Sequence, residues 1–534
     1  MQMIYRILSI FLFLSLFLGG CQKKIRPIDE NKQILRLNIH TEPPTMDTRK
    51  ATDTSSIAII NMCFEGLMKR GKDGEIHPAV AHKVEISNNN TLYTFHLRPS
   101  TWWDGKPLTA HDFAKTWRTI LDPAFPSGFA NDLYVIKNGL AVKNGELPMD
   151  ALGIKVIDNN TLQVQLERPI PYFLDLIASH CFYAVPQHIT EHFPHWANQA
   201  GHLFVGNGPY KLIKWKHHNC IVLEKNQEYW DQELVILDKI HMSIVEDETT
   251  ELNMFEAEEL DWAGGPLSTL PTDALQSLAK QKRLETYPVA GTYYYIFNVN
   301  RPPFDNIHMR RAFALAIDRQ IIIDNITQSD QAPATGFIPP AIWEVKPHFK
   351  DHDVEESRRL FDLGLVETGY TRKTLPTITL IYNSSSAHHK IAQAIQEQWF
   401  RAFGLRVRLA NKDWKVFLDE LSHKQFQIAR MGGVAGFKDP LTFFDLYKYP
   451  TSSNNYSGWS NPAFTELIEK AEVTIDPKER EGYLRKAEDL FIAEMPIAPI
   501  YYYTGTFTKK KYVKGIHISD LQEADFKYAF LESQ

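Results

Sequence analysis

One uninterrupted apolar run, residues 7–18, heads this chain, and no second run long enough to cross a membrane follows it. Arg6 precedes the run, Leu18-Gly19-Gly20-Cys21 closes it, and Gln22, Lys23, Lys24 and Arg26 end it abruptly. A positive residue, a short apolar stretch and small residues before a break are the layout of a secretory signal. The run is also shorter than the roughly 18–20 residues that span a bilayer. Whether it is cleaved after Gly20 or kept as a short anchor, the chain from Cys21 onward has to fold outside the cytoplasmic membrane.

The 534 residues exceed what one ordinary core organises, so two to four domains are expected. Cleavage removes Arg6 alone and leaves the mature chain one unit more negative than the −6 of the full sequence. That balance excludes a nucleic-acid binder, which needs a basic face to displace counterions. Beyond Cys21 only Cys63, Cys181 and Cys220 remain, without metal-type spacing, so at most one disulfide forms and stability must come from packing. Aromatic residues make up 12% of the chain, with 22 Tyr and 11 Trp, a supply suited to a wet binding cleft as well as to cores.

Alternating apolar residues predict strands at 34–40, 82–87, 91–99, 161–167, 210–226 and 239–245, whereas 55–70 carries helical spacing. Thr109 with Asp112 three residues on predicts a helix start. In the C-terminal half, Ile391, Ile395 and Trp399 share a helical face that Gly404 stops. An alternating segment at 405–414 with Leu405, Val407 and Leu409 inward, a helix at 414–421, a strand at 426–431 and a glycine-rich loop at 432–440 follow. Strands and helices alternate throughout, which makes the fold class α/β with mixed sheets.

Many segments in order carry a resemblance: EPPTMD; CFEGLMKRGKDGEIHPAVA; LYTFHLRPSTWWDGKPLTAHDF; GNGPYKLIKW; TYYYIFNVNRPPFDNIHMRRAFALAIDR; SSNNYSGWSNPAF; and IAPIYYY. From about residue 34 to 503 the chain resembles the extracytoplasmic oligopeptide-binding proteins of ABC importers, a large periplasmic-binding-protein class that also includes murein-peptide, nickel and haem binders. The N-terminal segment resembles a lipoprotein signal with its lipobox, which implies lipid on Cys21 as the membrane anchor and a polar tether over 21–33. The resemblance implies a multi-lobed fold closing on a central cleft through two hinge strands. One lobe combines 34–54, 185–289 and 504–534; a second, 55–184, is inserted; a third spans 290–503. The partners it implies are a peptide, the ABC permease and its ATPase subunits, for a protein acting as a monomer without cofactor.

By the same resemblance Glu42 lines the cleft, His388 meets a ligand carboxylate and Trp414 flanks ligand side chains. Gly433, Val434, Ala435, Gly436 and Phe437 form the loop beside the ligand. Arg430 also stands out from its residues alone: it shares a strand face with Phe426 and Ile428, where a guanidinium needs a carboxylate from the ligand or from another side chain. Tyr293, Tyr294, Tyr295 and Tyr501, Tyr502, Tyr503 fall at the expected hinges, with alternation dividing each run between two faces. The chain departs from the family at Gly436, where an aspartate pairs with the ligand's α-amine. It departs again at Gly291 and Val434, the two ends of a family disulfide. No GxSxG, HExxH or phosphate-loop motif is present, so no catalysis is expected. His188, His192 and His195 are expected to be a solvated patch rather than a metal site.

Overall fold

Two strands of thirteen residues each, Glu285–Phe297 and Ile497–Lys509, run antiparallel through the centre of the molecule and hold its two large cores together. Their pairing is continuous from Glu285↔Phe507 to Pro288↔Thr504, breaks, resumes at Thr292↔Tyr502, and slips again between Tyr293 and Tyr294. Such irregularities bend a strand and increase its twist, and Pro288 has no N–H to give to the ladder. The computed structural model describes residues 32–450 and 454–532; Cys21 and its signal lie outside them.

The long strands belong to a mixed sheet ordered Trp262–Gly264, Ile497–Lys509, Glu285–Phe297, Ile428–Val434, Thr379–Asn383, Arg408–Lys412. The last three pair in parallel, joined by helices Ser386–Phe403 and Trp414–Ser422, the crossover that parallel pairing requires. In Ser386–Phe403 the residues Ile391, Ile395, Trp399 and Phe403 are buried, the Trp399 indole donates to Phe313 O at 2.8 Å, and Gly404 ends the helix at φ 72°. That positive φ is one a side chain resists.

Two four-stranded sheets build the other side of the molecule. The first is ordered Ile34–Ile39, Lys239–Ile244, Cys220–Lys225, Tyr210–Lys216; the second Ala81–Ser87, Leu92–Leu97, Thr161–Gln165, Ile154–Asp158. Helix Ala110–Ile120 packs on the second, and its expected start is present, with Thr109 N donating to Asp112 Oδ2 at 2.8 Å. One apolar core is shared by both sheets, running from Leu35 and Ile240 to Phe95, Trp102 and Trp117. A second core surrounds the mixed sheet, with Tyr295, Phe313, Trp399, Ile428 and Phe491. Tyr172, Phe437 and Tyr503 pack against both. Cys63, Cys181 and Cys220 are all buried and free. Among the described residues no helix is long and apolar enough to cross a membrane.

Local propensity misplaces two elements. The helix expected over 55–70 stops at Cys63, and Met68–Arg70 is a strand. The break is tertiary: Glu65 N is taken by Asn207, the Glu65 carboxylate by Tyr229 and Trp230, and the Tyr183 ring lies where a Cβ on Gly66 would point. The strand expected to end at 431 continues through Gly432, Gly433 and Val434, so the glycine-rich loop starts only at Ala435. His188 and its neighbours get no extended helical face, because the helix Gln187–Thr190 is one turn long; His188 Nε2 contacts Asp104 Oδ2 at 2.7 Å. Among the described residues no group of metal-ligating side chains forms.

Candidate functional site

Arg430 stands opposite Tyr295 on the strand Ile428–Val434, with its side chain in an aromatic enclosure where the long strands cross. Its guanidinium carbon lies 4.8 Å from the centroid of the Tyr293 ring. One terminal nitrogen donates to Asn383 Oδ1 and the other to Tyr503 Oη, each at 3.3 Å. Nε is buried without a partner, and so is the Tyr295 hydroxyl. Among the described residues no carboxylate pairs with Arg430. A half-buried cation held only by neutral groups keeps donor capacity for an anion.

The tyrosine walls follow from strand alternation. Tyr293 stacks on Tyr501 at 4.7 Å and 10°, and Tyr503 stands edge-on to both at 6.2 and 5.7 Å. Tyr294 and Tyr502 point to the opposite face, against Phe337 and Gly336. Tyr503 explains why the facing strands carry glycine. A Cβ on Gly432 would lie 2.1 Å from its hydroxyl, and one on Gly291 would lie 2.8 Å from its ring. The Tyr503 ring therefore lies flat over backbone and brings its Oη to Arg430.

His388 lies in the first turn of helix Ser386–Phe403, and its Nδ1 is 3.3 Å from Tyr293 Oη. Burial, and then the charge of Arg430, push its pKa down to about 3, so the imidazole is neutral at physiological pH and able to give or take one hydrogen bond. Arg430, His388 and the tyrosines thus meet in one place. Trp414 begins the helix Trp414–Ser422, and its side chain lies outside the described set.

Glu42 lies on the other side of the molecule, in the loop after Ile34–Ile39. Its carboxylate accepts from Trp215 Nε1 at 2.7 Å, His217 Nδ1 at 2.8 Å and His218 N at 2.7 Å. Against the upward push of burial, these donors, the His218 N–H first, hold its pKa below the ordinary carboxylate value. The side chain expected to face a ligand is thus already engaged by its own neighbours. Sequence reasoning had no handle on this, because the partners lie more than 170 residues away.

Gly433, Val434, Ala435, Gly436 and Phe437 run from the edge of this enclosure toward the first core. Val434 is exposed, Ala435 N donates to Ala290 O, and Gly436 N donates to Thr442 Oγ1 at 3.0 Å. Gly436 has no positive φ, and a Cβ added there meets nothing closer than 3.9 Å. Phe437 stacks on Tyr172 at 4.5 Å and 11°. Asp439 is consumed in a buried two-point pair with Arg480 at 2.7 and 2.9 Å, so it supplies no free carboxylate.

Comparison with known proteins follows the same lines. The profile of bacterial extracellular solute-binding proteins, family 5 (middle), matches residues 75–455. The chain is 38% identical to the oligopeptide-binding protein OppA of Bacillus subtilis (strain 168), over 99% of each sequence. It is 34% identical to the dipeptide-binding protein DppE of the same organism, covering 93% of this chain and 92% of that one. Its fold is similar to the unliganded open form of the periplasmic murein tripeptide binding protein MppA, with a TM-score of 0.80 at 30% identity, over 94% of this chain and 98% of the other.

Proposed function

Because the chain belongs to the bacterial extracellular solute-binding proteins of family 5, we propose that it captures oligopeptides and delivers them to the permease of an ABC importer. It performs no chemistry of its own, and the partner ATPase subunits supply the energy. Arg430 carries this reading. The half-buried guanidinium is held by neutral groups alone, and a peptide carboxylate would complete it with charge-assisted hydrogen bonds. Neutral His388 adds one directional contact, and the tyrosine walls offer flat apolar surface with hydroxyls at the rim, tolerant of varied side chains. Gly433, Val434, Ala435, Gly436 and Phe437 contribute backbone for strand-like pairing, Trp414 flanks a ligand side chain, and Glu42 with Trp215 approaches from the opposite lobe.

In this reading the lobes are 34–54 with 185–289 and 504–534, the inserted 55–184, and 290–503. They turn about the irregular stretch of the two crossing strands, and ligand biases the closed state by touching both sides. Lipid on Cys21 tethers a monomeric protein to the envelope. A second reading, capture of murein-derived peptides, is favoured by Gly436, which presents no carboxylate to a free α-amine, and by the likeness to the murein tripeptide binder.

Mass spectrometry of material copurifying with the chain begun at Gln22 tests both. Short peptides are expected, and peptides containing murein-type residues would favour the second reading. Recovery of a haem or a nickel complex in place of peptide would overturn both.

A further inference from the structure

Among the described residues the chain passes between the two large cores only through the strands Glu285–Phe297 and Ile497–Lys509, so every other bridge between them there is non-covalent and must break when the cores swing apart. Such bridges concentrate on the segment 168–175. Tyr172 stacks on Phe437 at 4.5 Å. Asp175 Oδ1 accepts from Lys438 N at 3.1 Å while also holding Arg70 at 2.8 Å. The Lys438 ammonium reaches Asp520 Oδ2, in the C-terminal segment, at 3.1 Å. Arg168 pairs with Glu472 at 3.4 Å. The loop that makes these contacts is stiff from behind, because the next residue, Asp439, is locked to Arg480 of helix Pro477–Glu494.

We propose that Phe437 and Lys438 form a built-in clasp that holds the two cores closed through Tyr172, Asp175 and Asp520, independently of what the cleft contains. A ring stack, a backbone N–H of Lys438 held by Asp175 and a Lys438 ammonium paired with Asp520 make a contact that forms only on closure. It biases the unliganded protein toward the closed arrangement. Apparent affinity is the intrinsic affinity scaled by the closed population, so a protein-supplied clasp strengthens every ligand by the same factor and leaves selectivity unchanged.

The test uses Tyr172→Ala and Lys438→Met, with Lys438→Arg as the conservative control, each first shown to match the parent in thermal unfolding. Small-angle scattering without ligand should give a larger radius of gyration for the first two and the parental value for Lys438→Arg. Calorimetry with tetra-alanine and N-acetyl-tetra-alanine should show both peptides weakened in parallel by roughly three- to tenfold. Unchanged scattering together with unchanged affinity would overturn the clasp. So would a change in the ratio between the two peptides, because the side chains would then be reading the ligand directly. The calorimetric arm rests on the peptide reading above, whereas the scattering arm does not. A parent protein that ignores both peptides fails that reading and leaves scattering to decide the clasp.

Discussion

Gly291 and Val434 stand directly opposite one another on adjacent antiparallel strands, at the point where the chain passes from one core to the other. These are the two positions at which the resemblance places a disulfide in related proteins, and neighbouring antiparallel strands bring Cα atoms within the 4.4–6.8 Å that a disulfide needs. Here a Cβ on Gly291 would lie 2.7 Å from the backbone oxygen of Gly433 and 2.8 Å from the Tyr503 ring. Gly291→Cys/Val434→Cys should therefore oxidise slowly and incompletely, and adding Tyr503→Ala should speed oxidation by removing the side-chain part of the obstruction, leaving the Gly433 carbonyl. Thiol titration and intact mass check this. Rapid, complete oxidation with Tyr503 present would show that the ring is no obstacle.

Replacing Arg430 should separate binding from stability. Arg430→Met removes a half-buried charge held by Tyr293, Tyr503 and Asn383, so urea unfolding of the ligand-free protein should stay within about 1 kcal/mol of the parent while peptide affinity falls at least a hundredfold. A peptide whose C-terminus is amidated should lose affinity for the parent but show little further loss with the variant. Equal affinity of parent and variant for a free-acid peptide would remove Arg430 from the site.

At Gly436 the parent should bind a free and an N-acetylated peptide within about tenfold of each other, a difference of roughly 1.4 kcal/mol. Gly436→Asp has space and no adverse φ, so it should fold normally and shift the preference toward the free amine. Loss of all binding on acetylation in the parent would mean that another carboxylate already serves the amine.

Stability should depend on pH through Glu523. Buried beside Arg70, Asp175, Lys69 and Asp520, its carboxyl is pushed up to about 7 from 4.5, burial being the main cause. The folded chain then binds the proton more tightly than the unfolded one between these values. Stability falls as pH rises through that window and stays lower above it. Glu523→Gln should recover on the order of 2 kcal/mol at pH 8 and gain little at pH 4. Urea unfolding across pH 4–8 measures it, and an unchanged slope would clear Glu523 of the effect.

Features set by local pattern were legible in the sequence. Helix Ser386–Phe403 announced itself through Ile391, Ile395, Trp399 and the stop at Gly404, and Arg430 drew notice as the one charge on an apolar strand face. What stayed hidden depends on register between segments far apart. Nothing near Gly432 says that Tyr503, 71 positions on, will cover it, so the glycines looked like a loop when they are strand. Glu42 looked free because Trp215 and His217 are distant in sequence.

The three buried thiols carry a consequence for how this protein is made. Burial raises the pKa of Cys63 and Cys181 well above the ordinary thiol value, so neither offers the thiolate that oxidation and disulfide exchange require. With no native crosslink among the described residues, folding needs no oxidase or isomerase, and reductant at concentrations that unravel disulfide-built exported proteins should leave this one active. Its maturation is thereby uncoupled from the redox supply of the compartment that receives it.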